Sequence, residues 1–429
     1  MAHEHDPCEK QKVAGIDDDS SETNGNILCQ DMIASEILSR LRVKSLMRFK
    51  CVCKHWKCLI EQDKHFIDLH LTRSKTQPSL LINVPHNVAR NNFLAADLLF
   101  EGKTVSAAVH TVVEGAEKFA NLFPVSGIVN GLICLLSKGT TNYSKGTIRI
   151  WNVSTQEVTP PIESTLQSRL LQEVKGPYRS TCSLVNYAMG FSPATKEHKV
   201  IFMWQQVDPS PRYKFNYIYE VLTVGDNKWR RIHEVPQYSI VDYIFSGAAV
   251  YVNGVLYFKT NMLMEKTHNS DKFIVAFDVD TEKFRSIRIP LFILNSGHKD
   301  YRIELLEVNC CIALVTRNSG HTFKLWLYDK ENRGASYLQN WCEAITIKLP
   351  DYWGRAHYHK FYSAGTDRII SHYCPGSYNN KVKNGSLHCF NLKNKAQENI
   401  QVSGIPKSVA NFSSAIGVTT YVESLLRVN

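Results

Sequence analysis

The sequence predicts an α+β multidomain protein, a short helical module followed by a mainly-β, propeller-like domain of about six blades. Three observations carry that expectation. Apolar residues recur at helical spacing only between about residues 31 and 60. Short runs rich in Val, Ile, Tyr, Phe and Trp, separated by turn residues, fill the chain after about residue 78. A hairpin-plus-aromatic-strand unit then returns at intervals of roughly 50 to 70 residues, near or above the length of a propeller blade.

Residues 1–25 read as a disordered acidic tail. They mix Gly, Asp, Ser, Glu and Asn with no apolar period and include Asp17-Asp18-Asp19. Residues 26–71 form the helical module. Ile33, Ile37, Leu38 and Leu41 make one apolar stripe, with Asp31 placed where a carboxylate favours a helix N-terminus. A second stretch from Val43 carries Leu46, Phe49, Val52, Cys53, Trp56, Leu59 and Ile60, interleaved with Lys44, Arg48, Lys50, Lys54 and Lys57. Some forty residues of short helices cannot bury this many large side chains among themselves, so the later domain or another protein covers the excess.

Residues 72–429 form the β-domain. Expected strands are Leu80–Val84, Thr147–Val153, Lys199–Trp204, Tyr217–Val224, Ala248–Phe258, Lys272–Val279, Thr322–Tyr328, Ala344–Lys348, Arg368–Tyr373 and Ser386–Phe390. Asn130-Gly131, Asn253-Gly254 and Asn384-Gly385 are tight-hairpin signals, because both residue types tolerate positive φ. Units too small to bury their own faces favour a closed propeller over a pair of irregular sandwiches.

Composition narrows the function classes. Hydrophobic residues make up 44% of the 429 and charged residues 21%, the balance of an ordinary folded protein. The twelve cysteines form no C-x-x-C pair, and Cys51, Cys53 and Cys58 read as small buried hydrophobes. No metal and no cofactor are expected. No apolar run is long enough for a signal peptide or a membrane span, so no membrane partner is expected. The cytosol and/or nucleus is the expected location. The sequons at Asn142, Asn152, Asn384 and Asn411 then carry no meaning. The net charge is +10, but the Lys and Arg are scattered, which argues against nucleic acid. No phosphate loop, H-E-x-x-H or G-x-S-x-G motif is present, and Asp278 and Asp280 read as turn residues, so no catalytic residue is assigned.

Residues 26–71 resemble an F-box of the plant type. The match runs through Leu28, Ile37-Leu38-Ser39-Arg40-Leu41 and Val43-Lys44-Ser45-Leu46-Met47-Arg48-Phe49-Lys50-Cys51-Val52-Cys53-Lys54-His55-Trp56. Cys29 and Arg42 stand where the family usually has proline, and their loss is expected to loosen the module. The remainder resembles the F-box-associated, kelch-like domain of land plants. The carrying pieces include Val129-Asn130-Gly131-Leu132-Ile133-Cys134, Ile150-Trp151-Asn152-Val153-Ser154-Thr155, Phe277-Asp278-Val279-Asp280-Thr281 and Tyr421-Val422-Glu423-Ser424-Leu425.

The resemblance implies a non-catalytic, substrate-recognition subunit of a Skp–cullin–F-box ubiquitin ligase. It would bind a Skp-type adaptor, and through it a cullin and a RING subunit, while holding a target protein on the β-domain. An F-box protein acting outside a ligase is the alternative. On that resemblance, Leu28, Ile33, Ile37, Leu38, Leu41, Leu46, Val52, Cys53 and Trp56 are the expected adaptor face or its immediate support. Target contacts are expected on loops of one propeller face, within 163–181, 205–212, 332–340, 351–360 and 374–383. Tyr352, Trp353, Arg355, His357 and Tyr358 have the aromatic and Arg content of a protein-binding surface.

Overall fold

The computed structural model describes residues 32–87, 90–101, 104–112, 122–124, 128–137, 146–166, 181–208, 214–226, 228–240, 249–260, 272–295, 303–319, 322–329, 340–349, 359–365, 367–373, 387–404 and 417–428. The chain divides into two compact units, Met1–His70 and Leu71–Asn429.

The first unit opens with a π-helical turn, Ile33–Ile37, and a 3₁₀ turn, Leu38–Arg40, rather than the regular helix expected from Asp31. A wide turn followed by a tight one breaks the 3.6-residue period. Ile37, the last residue of the π-helical turn, faces solvent, and Leu38, the first of the 3₁₀ turn, faces the core. Helices α1 (Val43–Phe49) and α2 (Lys54–Gln62) follow, and α3 (Lys64–Thr76) runs beyond the expected boundary. Asp63 starts α3, its carboxylate accepting the Phe66 N–H at 2.8 Å. Leu38, Val43, Leu46, Ile60, Phe66 and Ile67 form the core of this unit.

The expected burial of Cys51, Cys53 and Cys58 is corrected. Cys51 and Cys53 are exposed and Cys58 is partly so. The cause is local: residues 51–53 are the turn between α1 and α2, and Cys53 caps α2, its Sγ accepting the Trp56 N–H at 3.4 Å. Among the described residues the buried thiols are Cys134, Cys182 and Cys389 in the β-domain, where burial pushes each pKa upward.

The second unit contains twenty-four strands in six sets of four among the described residues. Blade 1 takes β1 (Ser79–Asn87), β2 (Arg90–Glu101) and β3 (Thr104–Val112). Blade 2 is β4 (Leu122–Pro124), β5 (Leu132–Ser137), β6 (Thr147–Asn152) and β7 (Ile162–Glu163). Blade 3 is β8 (Thr181–Ser192), β9 (Glu197–Asp208), β10 (Lys214–Thr223) and β11 (Trp229–Ile232). Blade 4 is β12 (Val250–Val252), β13 (Val255–Lys259), β14 (Lys272–Asp278) and β15 (Phe284–Ile289), followed by the short helix α4 (Leu291–Asn295). Blade 5 is β16 (Glu304–Val308), β17 (Cys311–Ser319), β18 (Thr322–Tyr328) and β19 (Trp341–Lys348). Blade 6 is β20 (His359–Ser363), β21 (Arg368–Tyr373), β22 (Leu387–Asn391) and β23 (Gln397–Ser403). The last strand, β24 (Gly417–Tyr421), returns to blade 1 and pairs antiparallel with β1, Ser79 opposite Tyr421.

Six apolar seams, one between each neighbouring pair of blades, close the ring. Phe93 and Leu81 meet Trp151 and Ile133 between blades 1 and 2. Leu136 and Ile148 meet Tyr187 and Trp204 between blades 2 and 3. Ile201 and Tyr219 meet Leu256 and Phe277 between blades 3 and 4. Tyr257 and Ile274 meet Leu314 and Trp326 between blades 4 and 5. Phe323 and Ile347 meet Phe361 and Phe390 between blades 5 and 6. Ile370 and Leu387 meet Leu80 and Leu94, returning to blade 1. Each blade buries its two faces against two neighbours, which a pair of sandwiches would not do. The outer strands β23 and β3 also pair, parallel, from Ile400–Val105 to Ser403–Ala108.

The turns follow the expected chemistry. Asn130 and Gly131 sit at φ 53° and 83°, Asn253 and Gly254 at 43° and 84°. Asn384-Gly385 lies outside the described residues. Between third and fourth strands, one device recurs. Asn152, Asp278 and Asn391 each accept, on Oδ1, the N–H groups of the residues two and three ahead. Gln156, Glu282 and Lys395 follow at φ 64°, 59° and 57°. Asp278 and Asp280 are thus turn residues, Asp280 accepting the Ser192 hydroxyl at 2.8 Å. Asn152 is fully buried, so its sequon is inaccessible in the folded chain.

Candidate functional site

The helical unit keeps large apolar side chains in solvent. Met32 is 63% exposed, Ile37 55% and Val52 61%. Cys53 is exposed, and Ile33, Leu41 and Trp56 are half-buried. Trp56 packs on Phe49, ring centroids 5.5 Å apart, so one part of the indole is held while the rest faces water. Leu38 and Leu46 are withdrawn into the core, where they support the face from behind. Leu28 lies outside the described residues.

Two features fix the backbone beneath this face. Arg42 precedes α1 with φ −65° and ψ 147°, and Leu41 is extended at φ −81° and ψ 151°. Those are the angles that proline and the residue before it adopt, so the geometry persists at Arg42 without the ring. His70 is buried on α3 and its Nε2 donates to the Leu41 carbonyl at 2.9 Å. Burial lowers the His70 pKa and the carbonyl partly opposes it, so a neutral ring ties α3 to the chain between the 3₁₀ turn and α1. Neither Met32 nor His70 stands out in sequence; Met32 sits just ahead of the stripe, and a lone histidine announces nothing. Residues 32–70 carry eight Lys and Arg against four Asp and Glu, and Lys44, Arg48, Lys54, His55 and Lys57 are exposed.

In the β-domain the antiparallel order fixes which connections share a face. First-to-second and third-to-fourth strand turns leave from one side of every blade, and the other connections leave from the opposite side. The segments 163–181, 205–212, 351–360 and 374–383 all join strand ends on the second side. Segment 332–340 joins β18 to β19 on the first side, so the five expected loops do not share one face. Tyr352, Trp353, Arg355, His357 and Tyr358 lie outside the described residues. Four exposed apolar residues sit at strand ends or connections on the second side of blades 3 and 4: Phe215, Val235, Leu291 and Phe292. Phe292 meets Trp326 edge-on, centroids 5.7 Å apart. Sequence patterning missed these because a single apolar residue beside a strand reads as part of it. Among the described residues, no group of three or more His, Cys, Asp or Glu could hold a metal ion.

Comparison with known families decides between the architectures that such a pairing could represent. Residues 29–68 match the F-box domain, and residues 83–423 match the F-box associated beta propeller domain. The chain belongs to the F-box-associated β-propeller family. Its relatives include an Arabidopsis thaliana F-box protein, 30% identical over 308 residues that cover 70% of this chain and 90% of the relative. A second Arabidopsis F-box protein is 26% identical over 409 residues, 89% of this chain and 91% of its own length. An Arabidopsis F-box/kelch-repeat protein is 24% identical, covering 73% and 77%. Within the F-box, then, the exposed apolar residues lie inside the matched range, and the described β-domain is a six-bladed propeller.

Proposed function

We propose that this chain is the substrate-recognition subunit of a Skp–cullin–F-box ubiquitin ligase. The observation that carries the reading is an F-box with Ile37 and Val52 more than half exposed, joined in one chain to a closed propeller. Burying such side chains against a partner supplies the few anchors an interface needs. Met32, Ile33, Ile37, Leu41, Val52, Cys53 and Trp56 form the adaptor face, with Leu38 and Leu46 as support. The basic excess of the same module suits an adaptor surface with an acidic rim, which speeds encounter more than it deepens affinity.

The propeller holds a target protein on the side that bears Phe215, Val235, Leu291 and Phe292. The chain performs no bond chemistry in this reading. A bound target is kept near the ubiquitin-charged enzyme that the cullin and RING subunit bring, so that lysine modification becomes effectively intramolecular. The work is done in the cytosol or nucleus.

Pull-down of a Skp-type adaptor by the full chain, followed by reconstitution with cullin, RING subunit and ubiquitin-charged enzyme, tests this. Adaptor capture with cullin-dependent ubiquitin transfer is the expected result. Adaptor capture without recruitment of the cullin would instead favour an F-box protein working outside a ligase.

A further inference from the structure

Three sequence motifs far apart in the chain meet at one place. Gly131 lies in the turn before β5, Asn152 and Ser154 in the turn after β6, and residues 422–428 follow β24 without regular secondary structure. The Asn152 Nδ2 donates to the carbonyls of Ser424 at 3.0 Å and Leu426 at 2.8 Å. The Ser424 N–H donates to the Ser154 hydroxyl at 3.1 Å, and the Leu426 N–H to the Ser424 hydroxyl at 3.1 Å. Gly131 holds φ +83°, and a Cβ there would stand 2.4 Å from the Ser424 Cβ and 2.7 Å from the Val422 carbonyl. Only glycine leaves room for the segment. Tyr421 is buried in the seam between blades 1 and 2, and Val428 in the seam between blades 2 and 3.

We propose that residues 422–428 are a clasp, and that Gly131, Asn152 and Ser154 are the built site on blade 2 that receives it. Pairing of β24 with β1 completes blade 1, and the seam of Leu81, Phe93, Ile133 and Trp151 packs blade 1 on blade 2. The clasp adds a tie across blade 2 into the next seam. Closing the propeller is therefore a binding event within the chain, read by one glycine, one amide and one hydroxyl. Asn391 provides an internal comparison, because it builds the same kind of turn in blade 6, its Oδ1 accepting the Lys393 and Asn394 N–H groups.

Amide hydrogen exchange on the full chain, resolved by segment, tests the clasp. Asn152→Asp keeps the Oδ1 that orders its own turn but removes the two donations to the clasp. It should raise exchange over 417–428 by roughly a hundred-fold while blades 4 and 5 keep their protection. Ser154→Ala removes one acceptor and should raise it roughly ten-fold. Asn391→Ala should loosen its own turn and leave 417–428 unchanged. Unchanged exchange over 417–428 in Asn152→Asp, or an equal rise in all six blades, would overturn the proposal. If Asn152→Asp does not fold, the Ser154→Ala result decides alone, and unchanged protection at Ser424 counts against the clasp.

Discussion

Acid should weaken the propeller through its buried histidines, and His198 gives the cleanest case. It lies on β9, 8% exposed, with Phe191 against its ring at 4.8 Å and its Nε2 buried without a hydrogen-bond partner. Burial lowers its pKa from 6.5 to about 4; the hydrogen bond to the Val129 backbone opposes this and Lys75 adds to it. A base whose folded pKa is depressed stays neutral in the fold while the unfolded chain takes up a proton. Stability is therefore fully present above about pH 6.5 and is lost as pH falls toward 4. Between pH 7 and 5 the two pKa values imply a loss of about 2 kcal/mol from His198. His372, lowered to about 4 by burial first and Lys360 second, should add a loss in the same window. The assay is urea unfolding at pH 5, 6 and 7 for the parent and for His198→Asn, whose amide can still reach the Val129 carbonyl. The variant should be less stable at pH 7 but show a shallower fall toward pH 5, by up to one proton. Parallel pH profiles for parent and variant would show that His198 is not a source of the acid loss.

Other consequences are as direct. Arg42→Pro should stabilise the F-box by about 0.4–1 kcal/mol, because the backbone there already has proline's angles; a lowered melting temperature of this unit would contradict it. Leu46→Ala, at a fully buried position, should cost about 2–5 kcal/mol and unfold the helical unit while the propeller's calorimetric transition stays in place. Phe215→Asp combined with Phe292→Asp should leave adaptor binding intact and abolish the set of proteins that the parent chain captures, as read by quantitative mass spectrometry. Capture of the same set by both would place the target surface elsewhere.

Much of the fold was legible because its signals are local. Asn130-Gly131 and Asn253-Gly254 adopt positive φ as their chemistry requires, and the paired Asp278 and Asp280 order a turn. Repeated aromatic strands gave the blades. What stayed hidden depends on distant partners. β24 joins β1 across nearly the whole chain, and the buried Asn152 Nδ2 finds its acceptors on Ser424 and Leu426. In the F-box the residue types were readable but their directions were not. Neighbours Ile37 and Leu38 look alike in sequence, yet at the junction of the π and 3₁₀ turns Ile37 is exposed and Leu38 buried. Cys53 reads as a core residue by composition and serves as a helix cap by position.

On the proposed function, the exposed apolar face of the F-box binds a Skp-type adaptor. Titration calorimetry of the purified full chain with such an adaptor tests it, comparing the parent with Ile37→Asp combined with Val52→Asp. Both positions are solvent-exposed, so circular dichroism should show the helices and propeller unchanged. The parent should bind, and the double variant should bind at least roughly 30-fold more weakly. Equal affinity of the two folded chains, or no binding by the parent, would contradict it.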